Sequence, residues 1–200
     1  MFSFKGKNII VTGGSRGIGA ACVRMFRELG ANVAFNYNKN FRAADSLKES
    51  CSKFDGETLF YECDVSDYQE VQQFLNKIID RFGKIDALVN NAGIWEYGQI
   101  ENMSVDAWRR TLQINLDSVF YFSQLIVKHM KEHQIKGRII NISSTAGQRG
   151  EAFHSTCWSH SAFAPTVNVR DSPASIVSWA NRDADVRVRS WSVIHELSDM

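Results

Sequence analysis

The sequence predicts a single α/β domain with a doubly wound parallel sheet, and three observations support this prediction. Short apolar runs typical of buried strands alternate with amphipathic segments of helical length, which is the pattern of successive βαβ units. A cluster of glycines separates the first apolar run from the first helical segment. The 200 residues, of which 44% are hydrophobic, are enough to bury one sizeable core.

The strands and helices follow from this alternation in chain order. Strands are predicted at the short apolar runs, namely Asn8–Thr12, Asn32–Tyr37, Thr58–Glu62, Ala87–Asn90 and Arg138–Ile142. Helices are predicted at the longer segments between them, namely Ile18–Leu29, Phe41–Phe54, Tyr68–Phe82 and, as one or two helices, Val105–His133.

Composition narrows the classes of partner and compartment. A net charge of +1 gives no reason to expect a nucleic-acid or membrane partner. The first residues show neither a charged and apolar leader nor a long apolar run, so we expect a cytoplasmic protein. The four cysteines, Cys22, Cys51, Cys63 and Cys157, lack CxxC spacing and are interpreted as reduced thiols, the first three packed as small apolar residues.

The glycine cluster carries the first functional signal. The run TGGSRGIG places Gly13, Gly17 and Gly19 between a strand and a helix. Absent side chains let the backbone turn sharply there and approach a pyrophosphate at the helix N-terminus. The order of strand, turn and helix therefore predicts a dinucleotide-binding site of the Rossmann type, with a loop of no function as the alternative.

Four further motifs follow the glycine run. They are Asp64-Val65 after the third strand, NNAG at Asn90–Gly93, Asn115 within LQINL, and NISS at Asn141–Ser144. Taken singly, Asp64 could belong to a helix N-cap and Asn90 could be a hydrogen-bonding residue at a strand end. Together, in this order and spacing, the motifs make residues 5–156 resemble the short-chain dehydrogenase/reductase family, with most similarity to bacterial 3-oxoacyl-acyl-carrier-protein reductases and glucose dehydrogenases.

The resemblance implies a fold, an activity and a set of site residues. It implies a Rossmann fold with strand order 3-2-1-4-5, a homo-oligomer, and an NAD(P)-dependent oxidoreductase acting on a carbonyl or secondary alcohol. Asn115 and Ser144 correspond to catalytic positions of the family. The implied cofactor contacts are Gly13, Ser15, Arg16, Gly17, Ile18, Gly19, Tyr37, Asn38, Lys39, Asp64, Val65, Asn91, Ala92 and Gly93. No substrate is assigned, because the residues after NNAG could serve packing as well as recognition.

The end of the second strand bears on the choice of cofactor. An acidic side chain there would bind a ribose 2′-hydroxyl and repel a 2′-phosphate, but this sequence has Tyr37. Arg16 and Lys39 supply cations that could meet a 2′-phosphate, so NADP is predicted in preference to NAD. The alternative is that Lys39 is only a solvated surface charge.

The sequence departs from the family at its proton donor. The family has a Tyr-x-x-x-Lys pair, in which the lysine lowers the tyrosine pKa, whereas here Cys157 and Ser161 occupy the two positions. No tyrosine follows Tyr121 and no lysine follows Lys136. Loss of a positioned acid or base costs about 10²–10⁴ in rate, so we expect impaired catalysis. The alternative is a nucleotide-binding remnant, or an inactive truncated product.

The chain is therefore divided into a nucleotide-binding domain at 1–156 and a divergent tail at 157–200. The tail shows no sustained strand or helix period, so the sheet is expected to end at its fifth strand, with truncation after it and any oligomer impaired. Translation out of frame is one interpretation of the tail. His154, Cys157 and His160 have a spacing that could ligate a metal, but chance juxtaposition is favoured and no metal is predicted.

Overall fold

A computed structural model describes residues 3–144 and the backbone of residues 175–181. Up to residue 144, one or more helices separate each strand from the next. The strands are β1 Asn8–Val11, β2 Asn32–Tyr37, β3 Thr58–Glu62, β4 Ala87–Asn90, β5 Arg138–Ser144 and β6 Ser175–Asn181. The helices are α1 Gly17–Glu28, α2 Phe41–Cys51, α3 Tyr68–Phe82, α4 Val105–Leu112 and α5 Ser118–Glu132, with a π-helical turn at Gln113–Asp117 between the last two.

The strands form one parallel sheet in the order β3-β2-β1-β4-β5-β6. The predicted order of the first five strands is confirmed. Strand β1 is central, with Ile10 opposite Ala34 of β2 on one side and Leu88 of β4 on the other. The chain turns from one half of the sheet to the other between β1 and β4, which is where doubly wound sheets open a crevice for a ligand.

The sixth strand is an addition to the predicted sheet. Its seven residues pair with β5 along its whole length, from Arg138 opposite Ser175 to Ser144 opposite Asn181. The sequence pattern predicts that the sheet ends at its fifth strand and places no element in the tail; the structure keeps the predicted order and adds this strand beside β5. A strand in a parallel sheet needs no polar alternation, so a search for period two across the tail does not detect it. The open main-chain edge of β5 then supplies the pairing.

Two hydrophobic clusters cover the two faces of the sheet. On one face, α1 and α2 pack Phe26 and Leu47 against strand residues such as Val11 and Phe35. On the other face, side chains of α3 and α5 pack against Ile10 and Leu88, and Phe74 meets Phe122 edge to face with ring centroids 5.9 Å apart. The alternation of neighbouring residues along β1 between the two clusters is the period of two expected for a strand.

Local signals determine most of the helix boundaries. The side chain of Asp67 accepts hydrogen bonds from the amides of Gln69 and Glu70 and so caps α3, which ends at Phe82 and is followed by Gly83 with φ +77°. Helix α2 ends at Cys51, three residues before its predicted end. The predicted segment Val105–His133 is divided by the π turn. No helix in the described part of the chain is both long and apolar enough to cross a membrane.

Candidate nucleotide-binding site

The loops that carry most of the predicted site residues meet at one edge of the sheet. Because β1 to β4 are parallel, their carboxyl ends lie together, and the loops after them carry the glycine turn, Asn38 and Lys39, Asp64 and Val65, and the NNAG residues. The structure thus brings together segments that are separated by up to about eighty residues in sequence. This edge, at the reversal of strand order, is the usual ligand position in doubly wound folds.

The glycine turn depends on missing side chains. Gly13 and Gly17 adopt φ values of +64° and +55°, which favour glycine. A Cβ added to Gly19 would lie 2.4 Å from the Gly13 carbonyl oxygen and 2.6 Å from the Asn91 side-chain nitrogen. Gly19 is therefore required for the close approach of the helix to the turn and to the NNAG loop.

Among the described residues, no side chain caps the N-terminus of helix α1. Its N-cap is Arg16, whose side chain makes no capping hydrogen bond, and the first turn has no acidic residue. In contrast, Asn40, Asp67 and Ser104 cap α2, α3 and α4. The first amides of a helix lack intrahelical acceptors, and the helix dipole favours an anion beside them. The N-terminus of α1 consequently suits a pyrophosphate.

Thr12 connects the glycine turn to the NNAG loop. Its hydroxyl oxygen accepts from the amides of Asn91 and Ala92 at 2.9 and 2.8 Å. In return, the Asn91 side-chain amide donates to the carbonyls of Thr12 and Gly13 at 2.9 and 3.3 Å. These reciprocal bonds fix two of the predicted cofactor loops relative to each other.

Asp64 and Val65 follow β3 in a tight turn. The Asp64 carboxylate accepts from the amide and hydroxyl of Ser66 at 2.9 and 2.7 Å, and Val65 is buried. Just before them, burial and the nearby carboxylates of Glu70, Asp64 and Asp67 raise the pKa of the Cys63 thiol to about 12. Cys63 therefore stays protonated and is not a nucleophile.

The residues predicted to select the cofactor divide into buried and exposed side chains. The Tyr37 ring is buried and packs near Phe41 and Phe60, with centroids 6.1 and 5.9 Å away. Burial, assisted by Glu62, raises the pKa of the Tyr37 phenol. Arg16 and Lys39 are exposed and form no salt bridge among the described residues.

The predicted catalytic positions are only partly described. Asn115 is buried in the π turn, where its side-chain oxygen accepts from the Ile94 amide at 2.8 Å and its nitrogen donates to the Ile94 carbonyl at 3.0 Å. Ser144 is the last residue of β5. Cys157 and Ser161 lie outside the described residues, as do His154 and His160. In residues 3–144, no group of three or more His, Cys, Asp or Glu side chains is arranged to hold a metal ion.

The sequence motifs did not identify Asn36 as a site residue, and they did not predict the partners of Asn90. Asn36, the penultimate residue of the mostly apolar strand β2, bonds to the glycine turn and to Cys63. Asn90 donates to Asn141 at 2.9 Å and to Ser123 at 3.2 Å, joining the two asparagine-containing motifs across β4 and β5. The sequence did contain a signal for Asn36. It is a polar residue in a strand that is otherwise buried on both faces, and a buried polar side chain needs hydrogen-bond partners.

Comparison with known proteins agrees with this geometry. The sequence model of the short chain dehydrogenase family matches residues 7–164. The L-rhamnose 1-dehydrogenase (NADP(+)) of Thermoplasma acidophilum is 39% identical over 76% of this chain and 60% of its own length. The 3-oxoacyl-[acyl-carrier-protein] reductase FabG of Chlamydia pneumoniae is also 39% identical, over 74% of this chain and 58% of its own length.

A solved structure extends the similarity to three dimensions. The short chain dehydrogenase from Burkholderia cenocepacia in complex with NADP is 28% identical, with a TM-score of 0.79 over 87% of this chain and 74% of the other. This chain thus spans about 60% of the length of the curated relatives named above. The matched family model and these relatives show that the chain belongs to the short-chain dehydrogenase/reductase family.

Proposed function

We propose that this chain binds NADP at the carboxyl edge of its sheet and is an oxidoreductase of a carbonyl or secondary alcohol whose catalysis is impaired. One observation carries the proposal: an uncapped helix N-terminus stands behind a glycine turn in which a Cβ on Gly19 would clash at 2.4 Å. The pyrophosphate fits there, since its charge satisfies the first amides of α1. Asp64 and Val65 would flank the adenine, and the NNAG loop would face the nicotinamide half.

The preference for NADP rests on charge. The residue that ends β2 is not acidic. Arg16 and Lys39 are exposed and lie in the loops that follow β1 and β2, at the edge of the sheet that carries the site. A 2′-phosphate would pair with such cations, and the names of an NADP-dependent relative and an NADP-bound structure support the same choice. NAD remains the less favoured cofactor.

The catalytic proposal distinguishes hydride transfer from proton transfer. When bound, the nicotinamide supplies or accepts the hydride. Asn115 and Ser144 occupy catalytic positions of the family, but the phenol and ammonium of the Tyr-x-x-x-Lys pair are replaced by the thiol of Cys157 and the hydroxyl of Ser161. Turnover is expected to fall by about 10²–10⁴ for want of a positioned proton donor. The same replacement favours a second candidate, a nucleotide-binding remnant without catalysis.

Nucleotide binding to the purified chain tests the first part of the proposal. We expect NADPH to raise the melting temperature more than NADH does, because the proposed site binds NADPH more tightly. A ligand at about 100 times its Kd adds about 2.7 kcal/mol of stability. Gly19→Ala should abolish the shift. Gly6→Ala is the control: Gly6 has a positive φ that disfavours alanine, but its added Cβ meets nothing within 4 Å, so the variant should lose stability and keep the shift.

Turnover separates the two candidates. With carbonyl and alcohol substrates, the impaired enzyme shows a slow change in absorbance at 340 nm, whereas the remnant shows none. A double change, Cys157→Tyr with Ser161→Lys, should accelerate the impaired enzyme. Absence of any nucleotide-dependent shift in the parent chain would contradict both candidates.

We also propose a cytoplasmic location and weakened self-association. The three cysteines of the described part, Cys22, Cys51 and Cys63, are free thiols, as in proteins of reducing compartments. The family resemblance implies oligomers formed through the helices after the fourth and fifth strands, and the sequence departs from the family pattern where the second of these helices would lie. Light scattering of the purified chain should show mainly monomer.

A further inference from the structure

We infer that Asn36 is a positioning residue for the cofactor, which holds the glycine turn and the loop after β3 in their binding arrangement. The inference rests on the proposed function, because it concerns the same nucleotide site. Asn36 itself is 2% exposed, so it acts through the loops that it holds and not by touching the ligand.

The contacts of Asn36 reach two cofactor loops at once. Its side-chain oxygen accepts from the Gly13 amide at 2.9 Å, and its main-chain oxygen accepts from the Gly14 amide at 3.1 Å. Its side-chain nitrogen donates to the carbonyl of Cys63, directly before Asp64, at 3.0 Å. The first two amides of the glycine turn are therefore occupied by Asn36, which leaves the later amides of the turn and of α1 to face the pyrophosphate.

The hydrogen bonds of Asn36 continue into a third loop. The Gly13 carbonyl accepts from the side chain of Asn91, whose own amide is held by Thr12. A chain of hydrogen bonds thus runs from the loop after β3, through Asn36 and the glycine turn, to the NNAG loop. On this path Asn36 joins β2 to the glycine turn on one side and to the loop after β3 on the other, so its removal should loosen the adenosine half of the site first.

The glycine turn packs so closely against β2 that it cannot shift to compensate for the loss of its hydrogen bonds to Asn36. A Cβ on Gly14 would lie 2.4 Å from the Cβ of Phe35, the residue before Asn36, so the turn rests directly on β2. A shift of the turn toward or away from the strand would either clash or break the bonds to Asn36.

The same strand contains a matched control. Asn32 lies four residues earlier and therefore on the same face of β2. It makes an equivalent pair of bonds, donating to Asn8 at 2.9 Å and accepting from the Glu57 amide at 2.8 Å. Asn32 is the first residue of β2 and lies at the amino end of the strand, away from the site. Loss of its side chain removes a similar pair of hydrogen bonds without disturbing the cofactor loops.

The experiment compares Asn36→Ala with Asn32→Ala by calorimetric titration, at a temperature where both variants are folded. The probes are NADPH, 2′,5′-ADP for the adenosine half, and nicotinamide mononucleotide for the other half. Two lost hydrogen bonds at the site predict that Asn36→Ala weakens NADPH and 2′,5′-ADP by about tenfold or more, while nicotinamide mononucleotide changes by less than about twofold. Asn32→Ala should lower the melting temperature and leave all three affinities within about twofold.

Each outcome bears on the inference. Equal affinities of the two variants for 2′,5′-ADP, with normal binding by the parent chain, would overturn the role of Asn36 alone. A parent chain that binds neither NADPH nor 2′,5′-ADP would overturn the proposed function and this inference with it. Should Asn36→Ala not fold, Asn36→Asp keeps an oxygen for the Gly13 amide, lacks the amide donor for Cys63, and is titrated against the same threshold.

Discussion

Arg27 shows how a buried charge is accommodated by neutral partners. Its side chain is 1% exposed, and its guanidinium donates to the Thr58 hydroxyl at 2.8 Å. It also donates to four main-chain carbonyls, those of Ala31, Phe54, Asp55 and Gly56. All of these acceptors lie between α1 and the start of β3, so one residue holds the loops at the amino edge of the sheet together. Burial lowers the pKa of the guanidinium, which nevertheless stays charged.

Replacement of Arg27 should be costly for stability. Arg27→Leu leaves four carbonyls without their donor, and each unsatisfied buried polar group costs about 1–3 kcal/mol. We expect the free energy of unfolding in urea to fall by about 3 kcal/mol or more. Arg24→Leu, on an exposed position of the same helix, should change it by less than about 0.5 kcal/mol. Similar values for the two variants would show that the buried guanidinium is not a stabilising link.

His129 gives the fold a dependence on pH. The ring is buried, its Nε2 atom has no hydrogen-bond partner among the described residues, and the exposed His133 ring lies 4.5 Å away between centroids. Burial, and then the proximity of His133, lower the pKa of His129 below its ordinary value of 6.5. As pH falls below about 6.5, the unfolded chain takes up a proton before the folded chain does. Stability attributable to His129 is therefore complete above that pH and is lost below it.

Melting temperatures measured between about pH 7.5 and 5.5 test this dependence, since most carboxylates titrate lower. We expect the parent chain to lose stability across this interval and His129→Leu to lose less. His133→Gln, which leaves the buried ring in place, should retain most of the dependence. Parallel curves for the parent chain and His129→Leu would assign the dependence to other groups.

At the scale of elements, the π turn between α4 and α5 places Asn115. A π turn carries one more residue than an α turn, which displaces a side chain relative to the helices on either side. Here it is associated with the two hydrogen bonds between Asn115 and the backbone of Ile94. Through Asn115 the turn therefore holds the segment that follows the NNAG loop. This structural role is separate from the catalytic position that the family resemblance implies for the same asparagine.

Asn115→Ala should release that segment without unfolding the sheet. We expect faster hydrogen exchange at the Ile94 amide by about tenfold, because the amide loses its acceptor. Gln113→Ala changes an exposed residue of the same turn and should leave the exchange rate of Ile94 unchanged. An unchanged rate in Asn115→Ala would mean that packing, and not the asparagine, holds the segment.

At the scale of the whole molecule, β6 determines how far the sheet extends. It pairs with β5 through seven register positions, with Val177 opposite Ile140.

Hydrogen exchange followed by mass spectrometry tests the sixth strand. Peptides that cover residues 175–181 should exchange at least about tenfold more slowly than an unstructured chain. Val177→Pro removes a main-chain donor and should accelerate exchange in this peptide and in the one covering β5, while the β1 peptide stays unchanged. Rapid exchange of residues 175–181 in the parent chain would contradict the pairing.

What the sequence by itself determined is the part of the structure that local physics controls. Apolar runs, capping side chains and glycines act within a few residues, so the bounds of β2, β3, β4 and α3 were predicted correctly and the glycine turn lies where the motif placed it. Strand order came from family resemblance and not from local pattern, and the structure confirms it.

The tertiary structure alone decided how these pieces are joined. The bonds from Asn36 to Gly13 and Cys63, from Arg27 to the loop before β3, and from Asn115 to Ile94 link residues that are distant in sequence. The pairing of β6 depends in the same way on the open edge of β5. No local pattern encodes such contacts, because a polar side chain in a strand or helix finds its partner only after the chain has folded around it.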